Sequence, residues 1–374
     1  MHIETRAIQL ARPIDERTGA LAPPVHLSTT FERDASGAYE RGYLYIRNGN
    51  PTRDALEHAL AVIEGGAVCA AFASGLGAAA AIFQTLTPGE RIIAPRDVYT
   101  GLRSLLDELV SSWGVRVDYV EMHEPGEVEA ALRTEATLVW VETPSNPLLR
   151  VTDIRRVAQA AHGAGAVCVC DNTFATPIQQ TPLALGADLV VHATTKWIGG
   201  HSDMQGGCVI AAADDDLFGR VRTAQILAGA VPSPFDCWLA LRGLTTLACR
   251  VRASTASAAA IADFLVSHPK VARTRYPGRA DHPDHATASA QMRGYGGMIS
   301  FEVVGGEAAA MRVAANVELF TRATSLGGVE SLIEHRASIE GPESKTPPGL
   351  LRLSIGLEHR DDLIADLDRA LGAA

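Results

Sequence analysis

From Pro51 onward the chain alternates short apolar runs with helical patterns, and this alternation restricts the fold more than any other feature. The runs are Ala67–Ala73, Arg91–Pro95, Val115–Val120, Thr137–Glu142, Ala166–Cys170, Asp188–Val191 and Cys208–Ala212. Strands covered on both faces read as near-continuous hydrophobic segments, and helices between them predict a large, mostly parallel sheet in an α/β fold. Such a sheet gathers ligands at the carboxyl ends of its strands. The residues directly after each run are therefore where chemistry is expected.

Two of those positions stand out. Asp188–Val191 leads into His192-Ala193-Thr194-Thr195-Lys196-Trp197, which delivers an amine to the mouth of a buried strand. Ala166–Cys170 ends on Asp171-Asn172-Thr173, which delivers a carboxylate to the same rim. A lysine that forms a Schiff base and an acid that pairs with a pyridinium nitrogen are what pyridoxal 5'-phosphate (PLP) requires. Taken singly, the lysine reads equally as a snorkelling surface side chain and the aspartate as a helix cap.

At 374 residues the chain exceeds what one hydrophobic core usually serves, so two domains are expected. In residues 1–50, Pro13, Pro23-Pro24, Gly37, Gly42 and Gly49 interrupt every apolar run, which predicts an extended N-terminal arm. Residues 51–232 carry the alternating pattern. Gly229–Pro234 breaks it, and residues 233–374 open with an uninterrupted helical pattern from Phe235 to about Ser267. Strand-like Met298–Val304, a helix near Glu307–Ala315, and a last strand and helix at Leu350–Leu357 and Arg360–Leu371 then predict a smaller C-terminal α+β domain.

The net charge of −10 and a pI near 5.6 exclude nucleic acid and anionic membrane as main partners, since both need a basic footprint. The longest uncharged stretch, Gly65 to Gly89, is rich in Gly and Ala and interrupted by Ser74-Gly75, so it reads as buried βα structure rather than a span. Met1-His2-Ile3-Glu4-Thr5-Arg6 lacks the apolar core of a signal peptide. Six cysteines occur without paired C-x-x-C spacing, and Cys168 and Cys170 alternate along one apolar run. They predict core thiols, no metal site, and a reducing, cytoplasmic environment.

Phe72-Ala73-Ser74-Gly75-Leu76-Gly77 follows the first run and opens an alanine-rich helix. There glycine lets the backbone approach closely and free N–H groups favour a phosphate. The same segment also fits a dinucleotide fingerprint, Gly75-x-Gly77-x-x-Ala80 with Asp97 about twenty residues on, as in an NAD(P)-dependent oxidoreductase. That reading leaves Lys196, Asp171 and Arg47 without a role.

Tyr99 sits just past Arg91–Pro95, where an aromatic ring can stack on a flat cofactor. Asn146 ends Glu142-Thr143-Pro144-Ser145-Asn146, a segment that also suits a plain turn. In the arm, Arg47 could clamp a phosphate bidentately and Tyr45 could assist proton transfer. Arg352, between Leu351 and Leu353, could grip a substrate carboxylate in the same two-pronged way.

Together, Tyr45-Ile46-Arg47-Asn48-Gly49-Asn50-Pro51-Thr52, Ser74-Gly75, Glu142-Thr143-Pro144-Ser145-Asn146-Pro147, Asp171-Asn172-Thr173, Thr195-Lys196 with Gly200-His201-Ser202-Asp203, Ser325-Leu326-Gly327-Gly328-Val329-Glu330-Ser331 and Arg352-Leu353-Ser354 resemble the Cys/Met-metabolism, or trans-sulfuration, PLP enzymes. That family includes cystathionine γ-synthase, cystathionine γ-lyase, cystathionine β-lyase, methionine γ-lyase and the O-acylhomoserine sulfhydrylases. The resemblance covers nearly the whole chain in the family's order. It implies a fold-type-I PLP-dependent transferase in which Lys196 holds the cofactor as a Schiff base and then shuttles protons. Asp171 would pair with the pyridine nitrogen, and Tyr99 would stack on the ring. Tyr99 and Tyr45 would join Lys196 as catalytic groups. The Gly75 and Leu76 amides and the Thr195 hydroxyl would hold the phosphate, with Thr173 also at the cofactor. Tyr45 and Arg47 would complete that site from the adjacent subunit of a homodimer, itself paired into a tetramer. Asn146, Thr324, Ser325 and Arg352 would bind the amino-acid substrate. The implied reaction is first γ-replacement on an O-acylhomoserine by a thiol, and second elimination from cystathionine or methionine.

Some positions depart from the family's pattern. Ala193 stands where a phosphate-binding Ser is common, so one hydrogen bond is lost unless Thr194 supplies it. Trp197 replaces a usual Tyr, and Gly101 lies where methionine γ-lyases commonly carry Cys. Thr324 replaces a Glu frequent in γ-synthases and γ-lyases, which weakens the case for recognition of a distal ammonium. Arg336 replaces a common Pro.

Overall fold

A computed structural model of the chain describes residues 1–340 and 346–373. Each of the seven apolar runs forms a strand: β1 Val68–Phe72, β2 Arg91–Pro95, β3 Arg116–Val120, β4 Leu138–Glu142, β5 Val167–Asp171, β6 Leu189–His192 and β7 Gly207–Ala211. They make one sheet in the order β1-β7-β6-β5-β4-β2-β3. All neighbours are parallel except β7, which runs antiparallel to both β1 and β6. Side chains alternate between the faces as strand geometry demands. In β4, Leu138 and Trp140 pack on the side of Phe83, with the Trp140 and Phe83 rings 5.3 Å apart, while Val139 and Val141 pack with Ile154 and Cys168 on the other.

Local chemistry sets the helix ends around this sheet. Helix α2, Pro51–Glu64, starts where the Asn50 side chain accepts from the Thr52 and Arg53 N–H groups, has Pro at its first position, and stops at Gly65 with φ +83°. Helix α3, Gly75–Phe83, starts at Ser74, whose Oγ accepts from the Gly77 N–H at 3.0 Å.

A second sheet comprises β8 Val271–Arg275, β9 Met298–Val303, β10 Thr321–Arg322, β11 Leu332–His335 and β12 Leu350–Ser354, in the order β10-β11-β12-β9-β8. Its central strand places Arg352 between Glu334 of β11 and Ser300 of β9.

The structure corrects the sequence reading in several places. Residues 1–50 are not wholly an arm, because Ile3–Leu10 is a helix, α1, that buries Ala7 and the following Ala11 against α2. The helical pattern from Phe235 divides at Thr245-Thr246 into helices Pro234–Leu244 and Leu247–Ser267. At the break the Thr245 and Thr246 hydroxyls bond back to the Arg242 and Gly243 carbonyls, and Gly243 packs closely enough that a Cβ on it would lie 2.2 Å from the Ile198 carbonyl oxygen and 2.5 Å from that of Gly199. Nor does the expected boundary after residue 232 separate the two cores. Cys237, Leu241, Leu247 and Val251 pack with Cys208 and Ile210 of the large sheet, whereas Ile261 and Leu265 pack with Phe301 and Leu353 of the small one. The 247–267 helix is thus shared between them. Cys249, unlike the other five cysteines, is exposed. Among the described residues no helix is long and apolar enough to cross a membrane.

Candidate active site

The carboxyl ends of the large sheet and part of the small sheet with its loops enclose a cavity of about 270 Å³. The rim supplies Ser74, Gly75, Leu76, Tyr99, Glu142, Asn146, Asp171, Thr173, Thr195 and Lys196, and the small sheet and its loops supply Thr324, Ser325, Arg336 and Arg352. Residues far apart in sequence therefore meet in one place.

Lys196 follows β6 in a tight turn whose shape is fixed from outside. Its own N–H bonds to Ala193 O at 3.1 Å, and Arg250 of the 247–267 helix donates to the carbonyls of Trp197 and Ile198 at 2.6 and 3.4 Å and of Gly243 at 2.7 Å. The lysine Nζ donates to Ser325 Oγ at 2.8 Å. Burial first, and then the charge of Arg352, push its pKa down to about 8, opposed in part by Glu334. A large neutral fraction near physiological pH makes this amine a competent nucleophile. Ser325 is held at φ +89°, a strained value for a residue other than glycine, with its carbonyl accepting from Arg352 Nη2 at 2.8 Å.

Asp171 and Glu142 end adjacent parallel strands and are register partners. Asp171 accepts from the Thr173 N–H at 2.9 Å, while burial raises its pKa above the usual carboxylate value. Glu142, which sequence reasoning did not single out, is pushed much further, by burial first and then by the neighbouring Asp171 charge. Two carboxylates so placed cannot both ionise cheaply, and burial favours the protonated form of each. It accepts from the Tyr99 N–H at 3.0 Å and so fixes the start of the Tyr99 segment. The strand-end rule that finds Asp171 finds Glu142 too. Behind this rim the buried pair Glu64 and His192 meets at 2.7 Å, and the Asn172 side chain donates to Glu64 at 3.2 Å.

At the start of α3, the Gly75 and Leu76 amides belong to the first turn, which has no helical acceptors for them. Gly75 lies against Ala193, since a Cβ on it would sit 2.9 Å from the Ala193 methyl. Thr194 does not make up for the serine missing at 193, because it is buried away from the cavity. Thr195 lines the cavity, with its hydroxyl exchanging hydrogen bonds with the Gly206 backbone at 3.0 and 3.1 Å. Thr173 Oγ1 accepts from the Ala193 N–H at 2.9 Å.

On the opposite wall Arg352 donates through Nη1 to Asn146 Oδ1 at 2.9 Å and through Nη2 to Glu334 Oε2 at 2.7 Å. Its Nε is buried without a partner, which suits an incoming carboxylate. Glu334, also missed in sequence, belongs to β11, a strand that the sequence reading did not assign. Tyr45 and Arg47 are the sequence candidates that the chain's own fold keeps out of the cavity: both are exposed, and Arg47 donates to Ile226 O at 3.0 Å. Asp97, the ribose-binding acid of the dinucleotide reading, accepts instead from the Ser145 hydroxyl.

The residues present suit PLP. They offer a desolvated amine, a carboxylate enclosed on the same rim, an aromatic ring, and uncommitted amides at a helix start.

The sequence pattern of a Cys/Met metabolism PLP-dependent enzyme matches residues 4–372. The chain is 44% identical to the cystathionine γ-synthase of Mycobacterium tuberculosis over 98% of its own length and 96% of that protein's. It is 43% identical to the cystathionine γ-lyase of Dictyostelium discoideum, covering 99% of this chain and 97% of the relative. Its fold matches the crystal structure of cystathionine γ-synthase from Xanthomonas oryzae pv. oryzae in complex with aminoacrylate and cysteine, with a TM-score of 0.96, 42% identity, and coverage of 100% of this chain and 98% of that one. These likenesses remove the dinucleotide reading of the Gly75 loop.

The lowered Lys196 pKa is testable without cofactor. Acylation of the apo-protein by acetic anhydride, followed at Lys196 by mass spectrometry, should rise with pH through a midpoint of about 8. A midpoint near that of an ordinary lysine, about 10.4, would contradict the burial of this amine.

Proposed function

Because the chain belongs to the Cys/Met-metabolism PLP-dependent enzymes, we propose that it catalyses γ-replacement, in which a thiol displaces the acyloxy group from Cγ of an O-acylhomoserine to give a thioether and a free carboxylic acid. The observation that carries this choice is the outer wall of the cavity. Among the described residues its carboxylates are Glu142 and Asp171, both on the sheet rim, and position 324 presents a threonine. A substrate ending in an ammonium, such as cystathionine, finds no counter-charge among these outer residues, whereas the uncharged acetyl ester of homoserine needs none.

In this reading PLP, when bound, supplies the electron sink that makes removal of the Cα proton feasible. Lys196 Nζ takes that proton and is then placed to serve the Cβ proton whose loss releases the γ substituent. Asp171 would pair with the cofactor nitrogen and favour its protonated form. Tyr99, fixed through Glu142, would hold the ring by stacking. Arg352 and Asn146 hold the substrate α-carboxylate, and Ser325 steadies the lysine amine between transfers.

Tyr45 and Arg47 enter through a second subunit. Both are exposed on the extended segment after α1, outside the cavity of their own chain. A two-fold dimer lets each chain lend them to its neighbour's phosphate site.

With cysteine as thiol, purified protein should form new thioether from O-acetyl- or O-succinylhomoserine faster than it releases 2-oxo acid and ammonia from cystathionine or methionine. The reverse order would assign elimination. Thr324→Glu should raise kcat/KM for cystathionine relative to the O-acylhomoserines, and an unchanged ratio would take Thr324 out of substrate choice.

Subunit sharing is read by complementation. Dissociating and reassociating Lys196→Ala protein with Arg47→Ala protein makes hybrids with one native site each. At limiting PLP, activity should approach roughly a quarter of wild type. Activity no higher than the average of the two parents would mean that each chain completes its own site.

A further inference from the structure

The cavity contains a second guanidinium that this chemistry leaves unassigned. Arg336 lies just past β11, where the resembled enzymes commonly carry proline, and its buried side chain lines the cavity together with Arg352. A guanidinium has five N–H donors. Those that Arg336 commits run from Nη1 to Glu334 Oε2 at 2.9 Å, and from Nε and Nη2 to Glu340 Oε1 at 3.3 and 3.2 Å. One N–H on each terminal nitrogen is left over. Arg352 donates to the same Glu334 oxygen at 2.7 Å, so the two guanidinium groups stand side by side within reach of a single carboxylate. The unpaired, buried Nε of Arg352 adds another waiting donor.

Burying two arginines is costly unless their charge and donors are met. Glu334 and Glu340 balance the charge, yet leave donors on both side chains bordering the cavity. We propose that Arg336 is a substrate-binding residue that grips, together with Arg352, the α-carboxylate of the amino acid, so that two guanidinium groups share one anion. The inference rests on the amino-acid site described under Proposed function. Glu334 spaces the pair and Glu340, one helical turn on, orients Arg336; both are positioning residues. The proton affinity of Lys196 is lowered by each of the two arginines, as expected of a wall that stays positive until an anion arrives.

The test uses PLP-loaded enzyme titrated with glycine, which has an α-carboxylate and no side chain, and with ethylamine, which lacks the carboxylate. Binding is read from the visible absorbance of the cofactor. Arg336→Pro should weaken glycine binding roughly 10- to 100-fold, the range expected for a lost charge-assisted hydrogen bond. Ethylamine and PLP affinity should stay within about twofold of wild type, a split that a general packing defect would not produce. Arg336→Gln serves if the proline variant does not fold, Arg336→Lys should recover part of the loss, and Glu340→Gln should show a smaller loss in the same direction. Unchanged glycine affinity in a folded variant overturns the proposal. So does a loss confined to O-succinylhomoserine, which would put Arg336 at the far end of the substrate. Wild-type enzyme that responds to no amino acid would overturn the amino-acid site itself, and this inference with it.

Discussion

Parallel pairing of β4, β5 and β6 is the constraint on which the site depends. In this register Glu142 stands beside Asp171, and Asp171 beside Val191, so three strand ends reach the rim together and the turn after β6 returns Lys196 to the same place. A slip of one residue would reverse every side chain on the slipped strand and send its rim group into the apolar core. The register is therefore held by burial: Val139, Val141, Cys168 and Cys170 fill one face while Trp140, Val169 and Val191 fill the other. The chemistry inherits its geometry from packing.

Charge explains why the small sheet has to close over this rim. Lys196 sits in a desolvated place, and both guanidinium groups nearby come from β12 and the residue following β11. Glu334 bridges them, Asn146 receives Arg352 from across the cavity, and the strained Ser325 contacts both the lysine amine and the arginine. Arg250 clamps the turn after Lys196 from beneath. The 247–267 helix that carries Arg250 also packs into both cores, so the amine and the arginine-bearing wall are referenced to one rigid element.

What the sequence disclosed follows from how local each determinant is. Strands buried on both faces announce themselves as apolar runs, and Lys196 and Asp171 are legible because they directly follow two of them. Glu142 obeyed the same rule but was masked by the turn signals of Thr143-Pro144-Ser145-Asn146-Pro147. β11 was not legible, since Leu332-Ile333-Glu334-His335 looks half polar until Arg352 and Arg336 are seen against Glu334. The break at Thr245-Thr246 is marked only by two threonines whose hydroxyls bond back to the Arg242 and Gly243 carbonyls, a weak signal inside a long helical pattern. Helix α1 was hidden by its shortness next to a proline-rich stretch. Tyr45 and Arg47 could be placed only through family resemblance, because their work is expected in a neighbouring chain.

The central claim is that Lys196, and no other lysine, carries the cofactor. The sequence contains three lysines, Lys196, Lys270 and Lys345, so the claim can be checked exhaustively. PLP-loaded protein reduced with sodium borohydride, digested and mapped by mass spectrometry should carry the pyridoxyl group on the peptide containing Lys196 alone. Stable labelling at Lys270 or Lys345, or reduction that leaves Lys196 unmodified, would contradict it.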